Sequence, residues 1–264
     1  MMINRFMQRP CASMLSVLLL LFLNPAAAES ASINPQADEV LRSMATFLGG
    51  LSSFSMKASI ENELVTDEGQ KLQLSSSAEI AIKRPGKMHV TRKGMFADIE
   101  MIYDAKTFTL HGKKKNLYIQ RQAPGTVDDA IRLVEFETGL YAPGADLLFA
   151  DSYPILKSGV TRADYMGTTT FNGIEAHHLA FRENNVDWQL WVKVGNAPLP
   201  MKYVITSKWI TAAPQFSVRF HDWKTRAQIP ASQFEFSAPA GARRIDAISF
   251  NEIGEMKTEE EGQQ

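Results

Sequence analysis

Val186-Asp187-Trp188-Gln189-Leu190-Trp191-Val192-Lys193-Val194 carries an apolar residue at every second position. Successive side chains of a strand point to opposite faces, so Val186, Trp188, Leu190, Val192 and Val194 share one face. Asp187, Gln189, Trp191 and Lys193 share the other. One face is dry and one meets water, which is the pattern of an antiparallel strand. Just upstream, Asn172-Gly173 separates two β-rich segments, Thr161–Phe171 and Ile174–Arg182. Asn-Gly accepts the positive φ that both central positions of a type I′ turn require, so these segments form a hairpin.

The same alternation recurs outward along the chain. Phe54 to Val65 places Met56, Ala58, Ile60 and Leu64 on one face, and Leu72 to Ile82 places Leu72, Leu74, Ala78, Ile80 and Ile82 on one face. Asp67-Glu68-Gly69 and Arg84-Pro85-Gly86 are the turns. Short strands follow near Lys87–Arg92, Ala97–Tyr103, Thr107–His111 and Leu117–Arg121, and later at Met201–Ile210 and Phe216–Lys224, with a last edge at Phe234–Phe236. Helical spacing is confined to three places. Pro35 to Leu48 has Val40, Leu41, Met44, Phe47 and Leu48 in register, Asn34 as N-cap, Pro35 at the first position and Gly49-Gly50 as the stop. Val127 to Phe136 has Asp128 and Asp129 where the helix dipole favours acids. Pro143 to Lys157 reads as one or two short helices.

The expected fold is therefore α+β: a single curled antiparallel sheet of about 10–11 strands, with an N-terminal helix and a helical insert on its concave face. Short connections imply a meander. Such a sheet presents on the order of forty inward positions, against about a dozen apolar residues from the helices. A flat sheet would leave a large apolar patch, so it should wrap into a half-barrel with a partly empty apolar cleft. The expected ligand-binding wall is Trp188, Leu190, Val192, Ile80, Ile82 and Phe220, with Leu147, Leu148 and Phe149 as a lid. The alternative is a sheet that packs shut, leaving a non-catalytic envelope interaction or structural module with a closed core.

The ends of the chain bear on compartment. Arg5 and Arg9 precede the apolar run Met14 to Leu23, and Asn24-Pro25-Ala26-Ala27-Ala28 follows. A basic start, a short apolar stretch and an Ala-x-Ala site describe a secretory signal peptide cut after Ala28. The run is about half of the ~20 residues a membrane span needs. Residues 1–28 are thus assigned to a signal peptide, 29–248 to the half-barrel and 249–264 to a disordered acidic tail. Cys11 is the single cysteine and falls in the leader, so the exported domain has no disulfide and no thiol chemistry. This suits the periplasm.

Removing Arg5 and Arg9 takes the formal net charge from −1 to −3, which argues against a nucleic-acid partner. Lys113-Lys114-Lys115 reads as a solvated hairpin tip. His177-His178 cannot readily chelate one metal, because strand neighbours point apart. Gly-x-Ser-x-Gly, His-Glu-x-x-His and Gly-rich phosphate loops are absent. Neither an enzyme nor a cofactor is expected. Trp191 stands on the polar face of its strand, either packed under the edge of a neighbouring strand or marking a contact with a partner or membrane.

Several segments together resemble a known family. They are Ala37-Asp38-Glu39-Val40-Leu41, Phe54-Ser55-Met56, Arg84-Pro85, His178-Leu179-Ala180-Phe181 and Val186 to Trp191. Pro198-Leu199-Pro200-Met201-Lys202, Phe220-His221-Asp222-Trp223, Phe234-Glu235-Phe236 and Pro239-Ala240-Gly241-Ala242 complete the set. Over most of residues 35–246 the chain resembles predicted periplasmic proteins of unknown function with the lipoprotein-carrier (LolA/LolB-like) fold. The resemblance implies a periplasmic carrier for a lipid or the acyl chain of a lipoprotein, with an envelope membrane protein as a further partner. It transfers no functional residue, and no lipid-anchor cysteine is present.

Overall fold

The computed structural model describes residues 32–139, 143–250 and 256–257. The leader and its cleavage site lie outside the described residues. After β1 (Ser32–Ile33), α1 runs from Pro35 to Gly49. Asn34 caps it through Oδ1, which accepts from the backbone N–H groups of Gln36 (2.9 Å) and Ala37 (3.1 Å). These donors have no partner within the helix, so the cap sets its start. Ala37, Leu41, Met44, Ala45 and Leu48 form its buried stripe.

Six strands follow: β2 (Ser53–Val65), β3 (Lys71–Lys83), β4 (Lys87–Gly94), β5 (Asp98–Tyr103), β6 (Thr107–Gly112) and β7 (Leu117–Gln122). The helical insert comprises α2 (Val127–Thr138), a 3-10 turn at Ala145–Leu148 and α3 (Tyr153–Lys157). Thr126 and Asp129 cap α2 reciprocally, and Gly139 closes it in the left-handed region at φ 63°. Five more strands are β8 (Arg162–Phe171), β9 (Ile174–Arg182), β10 (Val186–Lys193), β11 (Pro200–Ser207) and β12 (Gln215–Lys224). Asn172 and Gly173 both have positive φ, 51° and 75°, as the β8–β9 hairpin requires. Two-residue strands β13 (Arg243–Arg244), β14 (Ser249–Phe250) and β15 (Met256–Lys257) end the described chain.

The molecule is mostly one large curled sheet that does not close, with few helices. Its order is β1-β8-β9-β10-β11-β12-β2-β3-β4-β5-β6-β7-β13. This is not the single meander expected. Each strand group is an antiparallel meander, and the two join through β12–β2, where His221 stands opposite Lys57 and Val218 opposite Ile60. The outermost pairs, β1 with β8 and β13 with β7, are parallel. Because β7 and β8 lie near opposite edges, the insert between them has to cross from one side of the sheet to the other. That is why it covers the concave face.

Two segments depart from expectation. Phe234–Phe236 alternates like an edge strand, but Ala231–Phe234 is a 3-10 turn that buries Phe234, with Lys87 Nζ 5.9 Å from its ring. Three residues are too few for alternation to distinguish a strand from a turn with one buried side chain. Beyond residue 248, Ser249–Phe250 pairs with Met256–Lys257 and Met256 is buried, so this part of the expected tail is ordered sheet.

Polar ties fix the insert. Asp38 of α1 accepts hydrogen bonds from the Tyr153 hydroxyl (2.7 Å) and the Lys157 ammonium of α3. Burial raises the Asp38 pKa, but hydrogen bonds from Lys157, Tyr153 and Arg42 outweigh it and hold the carboxyl below its usual range. Arg84 donates to the Leu148 carbonyl at 2.6 Å and pairs with Asp128 of α2 at 3.5 Å.

Candidate functional site

The central strands enclose an apolar cavity of about 130 Å³ beneath the insert. Its floor is built from the inward rows of five neighbouring strands. Phe216, Val218 and Phe220 come from β12, and Met56, Ala58 and Ile60 from β2. Ala78 and Ile80 of β3, Met88, Val90 and Arg92 of β4, and Ile99 and Met101 of β5 complete it. The roof is Ile131, Val134 and Glu135 of α2 with Gly144, Ala145 and Leu148. Alternation explains why these side chains converge: each strand contributes alternate residues to the concave face. Ala58 and Ala78 stand directly opposite each other in the ladder. Small side chains at this pair help to leave space between floor and roof.

Of the expected wall, Ile80, Phe220 and the lid residue Leu148 line this cavity. Trp188, Leu190 and Val192 lie elsewhere. They are 2%, 0% and 0% exposed, on the part of the sheet where α1 packs against β8, β9 and β10. Trp188 stacks on Phe181 (3.8 Å, 14°), meets Tyr203 edge-on (5.6 Å, 84°) and donates from Nε1 to Glu183 at 2.7 Å. Ile82 is fully buried opposite Phe54, and Leu147 and Phe149 are buried in the insert, with Arg132 5.0 Å from the Phe149 ring. The sheet thus has a filled half under α1 and a hollow half under α2. The row Met88-Val90-Arg92 and the opposed alanines are the sequence signals for the hollow half.

His177 and His178 point to opposite faces. His177 Nδ1 lies 2.9 Å from the Tyr165 hydroxyl, and His178 Nε2 lies 2.9 Å from Gln189 Oε1. Trp191 is covered on the polar face, stacked on His178 at 4.1 Å with Lys202 Nζ 4.9 Å from its ring. Trp209 is 77% exposed on the β11–β12 turn, where its Nε1 donates to the Asn184 carbonyl. Among the described residues no three His, Cys, Asp or Glu side chains gather to hold a metal.

Three carboxyls in or near the roof are held above their usual range, each chiefly by partial loss of solvent. These are Glu135, Asp146 and Glu183, and the Asp146 charge adds to the shift of the other two. An acid with a raised folded pKa lends stability below its unfolded value, and that stability is lost as the pH rises through the folded pKa. At neutral pH the half-buried Asp146 charge is therefore a cost. Asp146→Asn should melt at a higher temperature than the parent at pH 7, with the gap closing near pH 4. A gap that widens on acidification would reverse this assignment.

A family model described as "Predicted periplasmic protein (DUF2092)" matches residues 37–248, which contain every cavity-lining residue. The chain belongs to this family. DUF2092 membership agrees with the segments singled out in the sequence, and the family is described as periplasmic. Among the described residues no helix is long and apolar enough to cross a membrane. A comparison with curated proteins gives no match.

Solved structures with a similar chain path include three at low identity. An uncharacterized conserved protein from Thermus thermophilus shares 12% identity over 80% of this DUF2092 chain and 98% of its own, with a TM-score of 0.46. LprF from Mycobacterium bovis shares 13% over 80% and 100%, also at 0.46. A LolA superfamily protein from Nitrosomonas europaea shares 10% over 76% and 97%, at 0.35. Likeness at this level carries nothing about the ligand or the residues of the cavity.

Proposed function

We propose that the chain is a non-catalytic periplasmic protein that binds a hydrophobic ligand, a lipid or the acyl chain of a lipoprotein, in the cavity under α2. In this reading residues 1–28 are a signal peptide cut after Ala28, and the domain from residue 29 to 248 is the carrier. The carrying observation is the cavity itself, walled almost wholly by aliphatic, aromatic and methionine side chains on the concave face. Such a surface acts by excluding water and offers no reacting group.

Size sets a condition. At about 130 Å³ the cavity is smaller than the roughly 300–1,000 Å³ typical of ligand pockets. Binding a chain therefore requires the walls to yield. Met56, Met88 and Met101 line the space, and unbranched methionines rearrange at low cost. The small volume also favours the second reading, an envelope interaction module whose core stays closed.

Titrating the exported protein with a fluorescent fatty acid, alongside native mass spectrometry, separates the two. Saturable binding or a co-purified acyl ligand supports the carrier. A ligand-free mass together with no binding overturns it. Ala78→Leu, which fills the cavity from its floor, should abolish binding while the protein keeps its cooperative melt. Unchanged binding in this variant would place the ligand elsewhere.

A further inference from the structure

Arg92 breaks the apolar row of β4. Met88 and Val90 precede it on the same face, both buried, and all three line the cavity. A guanidinium thus interrupts an otherwise apolar wall. Its Nε donates to Ser76 Oγ at 3.2 Å. Among the described residues that is its one side-chain hydrogen bond, and no carboxylate lies within ion-pair distance of it. Across the ladder it faces Ala78 on one side and Ile99 on the other, neither of which can answer its charge. Glu135, the other ionisable residue of the lining, does not pair with it.

Burial pulls the Arg92 pKa down from its ordinary value, and no opposing charge restores it. Arginine nevertheless stays protonated, so Arg92 stands in the wall as a half-buried cation with no carboxylate against it. A residue that served only to fill the wall would be aliphatic, like Val90 and Met88 before it. The planar fork of free N–H donors matches a carboxylate or phosphate oxyanion.

On the ligand-binding reading above, we infer that the occupant is a single-chain amphiphile with an anionic head, a long-chain carboxylate being the simplest case. Arg92 holds the head, and the chain runs along Val90 and Met88 over Ile80 and Met56. Arg92 is a binding residue here, and no bond is made or broken.

The test compares two ligands of one chain length, dodecanoate and dodecan-1-ol, by isothermal titration of the exported protein. A charge-assisted pair predicts that the carboxylate binds about tenfold tighter than the alcohol. Arg92→Met should remove that preference, so that the two ligands bind this variant equally, while Arg92→Lys should keep part of it. Equal affinity of the parent protein for both ligands would overturn the inference while leaving the carrier reading intact. That comparison needs no variant, so a misfolded substitution cannot obscure it. Persistence of the preference in Arg92→Met would also overturn it. Binding of inorganic phosphate in competition with dodecanoate, with no affinity for the alcohol, would mark a free-anion site and overturn the amphiphile. If neither amphiphile binds, the carrier reading falls and this inference with it.

Discussion

Leu190→Asp should yield no folded protein. Leu190 is 0% exposed, paired across the ladder with Leu179 on β9 and Tyr203 on β11, in the half of the sheet that α1 covers. An aspartate there has no cation to meet, and an unpaired buried charge costs several kcal/mol even after the site relaxes. Whole-domain stability is about 5–15 kcal/mol, so one such loss consumes much of it. Gln189→Glu, one position along on the face where Gln189 meets His178, should melt within a few degrees of the parent. Circular dichroism and thermal melts of both variants check the pair. A cooperative, near-normal melt for Leu190→Asp would show that the α1 half is not the packed core. The same measurement decides whether the row from Val186 to Val194 supports the fold or contacts a ligand.

Gly49→Ala should destabilise the protein although alanine is the better helix former. Propensity alone favours alanine by about 1 kcal/mol. A Cβ on Gly49, however, would lie 2.1 Å from the Ala150 carbonyl oxygen, far inside contact distance. Ala150 cannot move aside freely. Its N–H is held by Asp128 at 3.0 Å, Asp128 pairs with Arg84, and Arg84 binds the Leu148 carbonyl just before it. Overpacking of this kind costs typically about 1–3 kcal/mol, sometimes more, so the clash wins. The variant should lose several degrees of melting temperature. A rise would mean that the end of α1 and the insert are free to separate.

The local elements were legible because each is written in a short window. The Val186–Val194 alternation, the Asn172-Gly173 turn and the Asn34-Pro35 helix start all appear in the structure where those residues place them. Pairing across the sheet is different. Nothing in β2 or β12 names the other as a neighbour, since both carry ordinary inward rows and the bond between them spans most of the chain. Hence the expected single meander became two joined ones.

The site divides the same way. Periodicity identified Trp188, Leu190 and Val192 as inward, correctly, but which helix lies over an inward row is a property of topology. With α1 above, that row is core. The hollow lies where α2 spans the opposed alanines Ala58 and Ala78. Arg92 is hard to single out in the sequence because a charged residue near a strand end is usually solvated, and only its parity with Met88 and Val90 marks it as inward.

The seam between β12 and β2 also sets an order of events. Ser59 and His221, which lie 3.3 Å apart there, are separated by 162 positions in the chain. A polypeptide that emerges N-terminal end first can close the hairpins from β2 to β7 as they appear, because those pairings are local. Phe216, Val218 and Phe220 arrive much later. Until they do, one edge of β2 is bare and the chamber lacks a side. The cavity under α2 is thus among the last parts of the molecule to be completed, and during that interval the edge of β2 that β12 will cover stands unpaired.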